Sequence, residues 1–158
     1  MKYNENVNVN LLGRKGIILE DLWIRTKIFG RVFAFIVPKG FETDFATIPR
    51  LFWSIFAPTD DDIYVGAIGH DLVYENKGEI IVYLLVDGKL LIQNEPIKII
   101  FTRLQADLLL YEKMKSFGSP LYRRVIVFTV VRCFGWFFWY NVDKKIKKLY
   151  VRIKYILK

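Results

Sequence analysis

The sequence predicts a small α+β fold, with two β-hairpins and four or five helices in a single domain that ends in a basic amphipathic helix. Two β-rich runs are interrupted by short turns, one at Gly30 and one at Asp87-Gly88, and such turns favour antiparallel pairing. Several later stretches open with capping residues or proline, which is typical of helix starts. A length of 158 residues is enough for one ordinary domain and short for two.

The two hairpins and the helix starts can be placed along the chain. The predicted strands are residues 22–27 and 31–37 for the first hairpin, and residues 80–86 and 89–93 for the second. The predicted helix starts are Pro49 for a short helix to about residue 56, residues 59–62 for a helix to about residue 74, the capping box Thr102-x-x-Gln105 for a helix to about Gly118, and Ser119-Pro120.

The domain boundaries follow from composition. Residues 1–16 are polar and rich in asparagine, which predicts an irregular or mobile arm rather than a signal peptide. Residues 17–140 form the predicted α+β domain, and residues 141–158 form the predicted basic helix. Hydrophobic residues make up 53% of the chain, which excludes a disordered protein.

Two residue types that build many sites are scarce. The chain has one cysteine, Cys133, which excludes an intrachain disulfide and a thiolate zinc cluster. It has one histidine, His70, which excludes any site that needs two imidazoles. We therefore expect a reducing, cytoplasmic origin.

The positive charge is concentrated at the C-terminal end. Residues 122–158 hold ten Lys and Arg and one acidic residue, although the net charge of the whole chain is +8. Apolar residues recur there at helical spacing, and the basic residues between them include Lys144, Lys145, Lys147, Lys148 and Arg152. This pattern predicts a helix that lies on an anionic membrane surface, with Trp136 and Trp139 at the headgroup level.

The same pattern leaves two other interpretations open. The last helix can pack on its own domain, with its lysines solvated. Nucleic-acid binding is the least favoured, because the basic residues lie on a membrane-like helix and not around an aromatic-lined groove.

The apolar run before the tail is too short to span a bilayer. Residues 125–140 would cover about 24 Å as a helix, against a hydrocarbon core of about 30 Å. The run also contains Arg132 near its middle. We expect a core helix whose arginine snorkels to solvent or pairs with an acid.

One group of polar residues is a candidate site. Tyr74 follows His70 by four residues and shares its helix face, whereas Asp71 projects about 100° away and cannot orient the imidazole. Asp107 lies in an apolar helix and needs a donor, either Arg103 or His70. If Nδ1–H of His70 meets Asp107, the other ring nitrogen is left as a base near neutral pH. The alternative is a structural polar pair that fixes helix register.

Three blocks of the sequence resemble a family of unknown function found in phages and prophages. They are VPKGFETDFATIPRLFW at residues 37–53, GHDLVYE at residues 69–75 and RLQADLLLYEKMKSFG at residues 103–118. Members carry VPxGFxTDxASxPR, HDxxY and R-x-x-AD blocks in this order. The resemblance implies a phage or prophage setting, with phage structural proteins as partners, and it implies no activity.

His-Asp-x-x-Tyr on one helix, followed by an aspartate on a later helix, is also similar to phospholipase A2 of the secreted and parvovirus types. The resemblance implies that His70 is the base, Asp71 a calcium ligand, Asp107 the orienting acid and Tyr74 its hydrogen-bond support. The glycine-rich calcium loop of that family has no clear equivalent here. Asp44, or the three aspartates at residues 60–62, could supply the oxygen ligands that calcium needs.

These observations lead to a functional hypothesis with alternatives. The chain is expected to be a metal-assisted hydrolase of lipid esters, with His70 as general base and the basic tail docked on a membrane, in the host cytoplasm or the virion. The alternative is a non-catalytic phage accessory or virion protein in which His70 and Asp107 are a structural polar cluster. A cell-wall hydrolase is a third and weaker possibility. Asp44 can serve the site or cap the helix that Pro49 opens.

Overall fold

The computed structural model of the protein describes residues 8–12, 15–28, 30–43, 61–86, 89–90 and 95–141. Eight strands and three helices lie in these ranges. In chain order they are β1 (Val9–Leu12), β2 (Lys15–Ile18), β3 (Leu22–Ile28), β4 (Arg31–Val37), β5 (Glu42–Thr43), α1 (Asp61–Glu75), β6 (Glu79–Val86), β7 (Lys89–Leu90), β8 (Ile97–Ile100), α2 (Arg103–Ser116) and α3 (Leu121–Asn141). The α+β class predicted from the sequence is confirmed.

The strands form two antiparallel sheets. The smaller sheet has the order β1-β2-β5, and the pairing of Gly16 with Thr43 fixes the position of Thr43 at the end of β5. The larger sheet has the order β3-β4-β6-β7, with β8 also paired to β6. The smaller sheet therefore positions Thr43 beside the helices. The larger sheet forms one wall of the core.

Both predicted hairpins are confirmed. Ile28 pairs with Arg31 in the first, and Val86 pairs with Lys89 in the second, so each turn has two residues. A two-residue turn favours positive φ, and Gly30 has φ +79°.

Four further strands, β1, β2, β5 and β8, were not predicted. The hairpin of β1 and β2 crosses the expected boundary at residue 16, so part of the N-terminal arm belongs to a sheet. The sequence does contain a signal for strand β1, because Val9 and Leu11 alternate with Asn8 and Asn10. The polar composition of the segment obscured this period-2 pattern. Strand β8 follows Pro96 and pairs with β6.

The described helices number three, against the predicted four or five. Helix α2 begins with the predicted capping box, since the Thr102 side chain accepts from the backbone of Gln105 and the Gln105 side chain accepts from the backbone of Thr102. Helix α3 continues without a break through the whole apolar run. The helices predicted at residues 49–56 and in the basic tail lie outside the described residues, apart from Asn141 at the end of α3.

Helix α1 lies between the larger sheet and α2. An added Cβ at Gly69 would lie 2.9 Å from the Ile24 side chain of β3, and one at Gly66 would lie 2.9 Å from the Leu110 side chain of α2. These glycines therefore allow close packing on both sides of α1. Within the described ranges, no helix combines the length and the hydropathy that crossing a bilayer requires.

The turn between α1 and β6 gives a test of this packing. Gly78 has φ +87°, and a Cβ there would lie 2.0 Å from the Phe101 carbonyl oxygen. Gly118 has a similar φ of +81°, with nothing within 4 Å of its added Cβ. We expect Gly118→Ala to lower the free energy of unfolding by about 1 kcal/mol, and Gly78→Ala by roughly 3 kcal/mol or more. Urea denaturation measures both, and equal losses would contradict the predicted backbone clash.

Candidate functional site

The carboxylate of Asp107 is the centre of a buried polar cluster that joins all three described helices. Its Oδ1 accepts hydrogen bonds from His70 Nε2 at 3.0 Å and from the Tyr74 hydroxyl at 2.5 Å. Its Oδ2 accepts from Arg132 Nη1 at 2.6 Å. His70 and Tyr74 belong to α1, Asp107 to α2 and Arg132 to α3. Asp107 is 0% exposed, so protein donors replace the water that its carboxylate has lost.

Helix geometry explains why His70 and Tyr74 reach the same oxygen. Residues four apart lie one above the other on a helix, and the two ring centroids are 4.1 Å apart. Tyr74 in turn fits against α3 because Gly135 has no side chain, since a Cβ there would lie 2.6 Å from the tyrosine oxygen. Trp139 completes this contact, edge-on to Tyr74 at 4.9 Å.

The imidazole of His70 uses its outer nitrogen to reach Asp107. The contact considered from the sequence runs through Nδ1, and the structure corrects this to Nε2. The physical reason is reach, because Nε2 lies farther from the α1 backbone. An ionised carboxylate can only accept, so the pattern assigns the proton to Nε2 and, in the neutral ring, the lone pair to Nδ1.

The second nitrogen of His70 points towards Asp71. Nδ1 lies 3.5 Å from Asp71 Oδ1, which is long for a hydrogen bond, and it has no hydrogen-bond partner among the described residues. Helix geometry predicted that Asp71 projects away from the imidazole, whereas the structure brings the Asp71 carboxylate beside Nδ1, at a distance that is long for a hydrogen bond to the ring. Asp71 instead accepts a hydrogen bond from Thr43 Oγ1 at 2.5 Å.

Thr43 brings the smaller sheet into the site. It is 2% exposed and lies at the end of β5, whose pairing with β2 fixes its position. Thr43 and the candidate metal ligand Asp44 form one of the candidate polar groups in the sequence, although no specific role was predicted for the threonine. Asp44 itself lies outside the described residues.

Arg132 is the cation of the cluster, and Arg103 is not. Arg103 and His70 were the two donors expected for Asp107, and His70 is the one of these two that hydrogen-bonds to it. Arg103 instead donates from Nη1 to the backbone carbonyl of Arg132 at 3.1 Å. Arg132 therefore pairs with an acid inside the protein, one of the two outcomes expected for an arginine within an apolar helix.

Burial and the hydrogen bonds of the cluster shift the pKa values of Asp107, His70 and Tyr74. Burial disfavours the charged form of Asp107, but hydrogen bonds from His70, Tyr74 and Arg132 outweigh it and hold the pKa of the carboxyl below its usual 3.8. Burial likewise opposes protonation of His70, but Asp107 and the nearby Asp71 carboxylate raise the pKa of the imidazole above 6.5. Burial, and then the bond to Asp107, raises the pKa of the Tyr74 phenol.

No group of three or more His, Cys, Asp or Glu side chains suitable for a metal ion occurs among the described residues. Calcium takes six to eight oxygen ligands, whereas the oxygens described beside His70 belong to Asp71 and Thr43. The side chains of Asp44 and of the aspartates at residues 60–62 lie outside the described part of the chain.

The two tryptophans expected at a membrane have different surroundings. Trp136 is 46% exposed and stacks on Phe137, at a centroid distance of 3.7 Å. Trp139 is partly buried against Tyr74 and the core. The exposed aromatic residues of this helix end are Phe134, Trp136, Phe137, Phe138 and Tyr140. The basic residues Lys144, Lys145, Lys147, Lys148 and Arg152 lie outside the described residues.

Comparison with known proteins places the chain in a family. Residues 18–131 match the family described as a protein of unknown function, DUF1353. The chain belongs to the DUF1353 family. The matched region of this DUF1353 protein contains His70, Tyr74, Asp107 and Asp71, and it ends one residue before Arg132. No curated protein and no solved structure matches the chain.

The pKa of His70 gives a prediction for stability against pH. A folded-state pKa above 6.5 means that the stabilisation by His70 is fully present below pH 6.5 and is lost as the pH rises through the folded-state pKa. His70→Gln keeps a donor near the position of Nε2 but cannot titrate. We expect the advantage of the wild type over His70→Gln in free energy of unfolding to shrink as the pH rises above 6.5 and through the folded-state pKa.

Urea denaturation at a series of pH values measures this difference. Comparison with the variant removes the contributions of all other titrating groups. A difference that stays constant, or that grows with pH, would mean that the pKa of His70 is not raised in the folded protein.

Proposed function

We propose that the chain is a hydrolase of lipid esters in which His70 activates a water molecule. One observation carries the proposal: Nε2 of His70 is held by an ionised carboxylate, while Nδ1 has no hydrogen-bond partner among the described residues. A buried nitrogen of this kind calls for a water molecule or another polar partner. The Asp71 side chain beside it is 14% exposed, so this side of the ring lies nearer to solvent.

The proposed chemistry is general-base catalysis. Nδ1 accepts a proton from water while the water oxygen attacks the ester carbonyl carbon. The imidazolium then gives this proton to the departing alkoxide, so that an acid and an alcohol are the products. Asp107 stays ionised throughout, stabilises the imidazolium and keeps the ring in the orientation that presents Nδ1.

Tyr74 and Arg132 act as positioning residues for Asp107 in this proposal. Each donates to the carboxylate from a different helix, so the carboxylate cannot rotate away from His70. The similarity of His-Asp-x-x-Tyr to phospholipase A2 supports the proposal, since it assigns the orienting role to Asp107 and the supporting role to Tyr74. No step is assigned to calcium, for which Asp71 and Asp44 are the proposed ligands.

A membrane surface containing anionic lipid is the proposed location of the substrate. The exposed aromatic residues at the end of α3 are followed directly by the basic tail. Aromatic rings favour the headgroup level of a bilayer, and basic residues favour anionic lipid. Together they would hold the site beside its substrate. A phage or prophage setting, in the host cytoplasm or the virion, is part of the same proposal and rests on the three sequence blocks.

A second candidate function has its own support. His70 is 4% exposed, and its raised pKa favours the protonated form, which is not a base. Both facts favour a non-catalytic phage accessory or virion protein in which the cluster joins the helices. The two candidates differ in whether the loss of His70 removes an activity or only stability.

Fatty acid release from dioleoylphosphatidylglycerol vesicles tests the first candidate. We expect His70→Gln to abolish release and Asp107→Asn to lower it by about 10²- to 10⁴-fold, because a neutral amide stabilises the imidazolium poorly. Asp21→Asn is the matched control, since Asp21 is an exposed carboxylate that accepts a hydrogen bond from the Lys39 backbone. Activity should rise with pH through the pKa of His70, above 6.5, because only neutral imidazole accepts a proton.

Three outcomes would decide against parts of this proposal. If the wild type releases no fatty acid with calcium or with a chelator, and His70→Gln only lowers stability, the accessory protein replaces the hydrolase. Hydrolysis of peptidoglycan instead of vesicles would select a cell-wall enzyme. Activity that is equal with and without calcium would remove the metal roles of Asp71 and Asp44.

Vesicle flotation tests the membrane contact. We expect the double variant Trp136→Ser, Phe137→Ser to bind phosphatidylglycerol vesicles about tenfold more weakly than the wild type, because it removes two exposed rings. Tyr122→Ser is the matched control, since Tyr122 is exposed at the opposite end of α3. Equal loss in both variants would contradict the assigned surface. Binding to DNA that falls steeply with salt, without vesicle binding, would assign the basic tail to nucleic acid instead.

A further inference from the structure

A cavity lies on the side of α2 that faces away from Asp107. Its volume is about 650 Å³, within the range of about 300–1,000 Å³ that is common for small-molecule sites. The hairpin of β3 and β4, strand β8 and helix α2 line it. Gln105, Leu109 and Glu112 of α2 line the cavity, and they lie about half a helical turn away from Asp107. The cavity is therefore separate from the site of His70.

The apolar part of the lining is aliphatic and open to solvent. Val32, Ile100 and Leu108 line the cavity and are 39%, 67% and 41% exposed. Phe101 is the one aromatic residue among the described lining residues. Flat rings of nucleotides or cofactors prefer aromatic stacking surfaces, so this lining favours a flexible alkyl chain over a planar ring system.

The charged part of the lining is mostly basic. Arg25, Lys27 and Lys113 line the cavity together with one acidic residue, Glu112. Lys113 is 7% exposed, so most of its side chain is buried in the wall of the cavity. The net positive charge selects for a negative group on the occupant.

We infer that this cavity binds a single-chain fatty acid, with the alkyl chain against the aliphatic residues and the carboxylate towards Arg25 and Lys27. The inference rests on the size of the cavity, the aliphatic lining and the charge. It goes beyond the proposed hydrolase and does not depend on it, because the described polar and ring partners of His70 are Asp107, Asp71 and Tyr74, none of which lines the cavity.

Isothermal titration of the full chain with monomeric sodium dodecanoate tests the inference. We expect one molecule to bind per chain, dodecanol to bind about tenfold more weakly because it lacks the charge, and acetate not to bind because it lacks the chain. Lys27→Glu should weaken dodecanoate by about tenfold and leave dodecanol unchanged. Leu108→Glu should weaken both amphiphiles.

Two controls separate this site from the rest of the protein. Lys39→Glu is the matched charge reversal, because Lys39 is exposed and does not line the cavity. It should bind dodecanoate as the wild type does. His70→Gln should also bind normally, so that failure of the hydrolase leaves this result intact. Phosphatidylglycerol vesicle binding should be unchanged in Lys27→Glu, since the vesicle surface is assigned to the end of α3.

The inference is overturned if dodecanol binds as tightly as dodecanoate, or if Lys27→Glu and Lys39→Glu have the same effect. It is also overturned if Lys27→Glu loses vesicle binding and monomeric dodecanoate does not bind at all. That result would make the basic lining part of a membrane surface rather than of a cavity for one chain.

Discussion

A carboxylate without solvent contact must receive hydrogen bonds from the protein, and the arrangement of the three described helices follows from how Asp107 receives them. Donors come from α1 on one oxygen and from α3 on the other, so a shift of either helix would leave a buried charge underbonded. The glycines at the helix contacts serve the same constraint. Gly66 allows α1 to approach α2, and Gly135 leaves room for the tyrosine hydroxyl beside α3.

The same constraint gives His70 its chemical character. With Nε2 committed to Asp107, Nδ1 is the nitrogen that remains for chemistry, and it lies beside Asp71 near the end of β5. The positive charge of Arg132 balances the negative charge of Asp107. With a neutral imidazole on His70, the three side chains together therefore carry no net charge. A structural cluster and a catalytic dyad use identical contacts here. They differ in whether water and substrate reach Nδ1.

Local periodicity predicted much of this arrangement. The four-residue spacing of His70 and Tyr74 placed both on one face, and an acid in the apolar run of α2 required a donor. The sequence could not select Arg132 over Arg103, because that choice depends on how α3 crosses α2. It could not select Nε2, which depends on the distance between α1 and α2. The capping box and the two-residue turns were predictable since they involve neighbouring residues, whereas β8 depends on a partner strand distant in sequence.

The chain contains a single histidine, so the imidazole nitrogen signals of a ¹⁵N-labelled sample all belong to His70. Two-bond ¹H–¹⁵N correlation spectra recorded across a pH titration report both the tautomer and the pKa of this ring. The account predicts a neutral form with the proton on Nε2, an unprotonated Nδ1, and a pKa above 6.5. A neutral form protonated on Nδ1, or a pKa at or below 6.5, would show that Asp107 does not hold the ring, and would contradict the account.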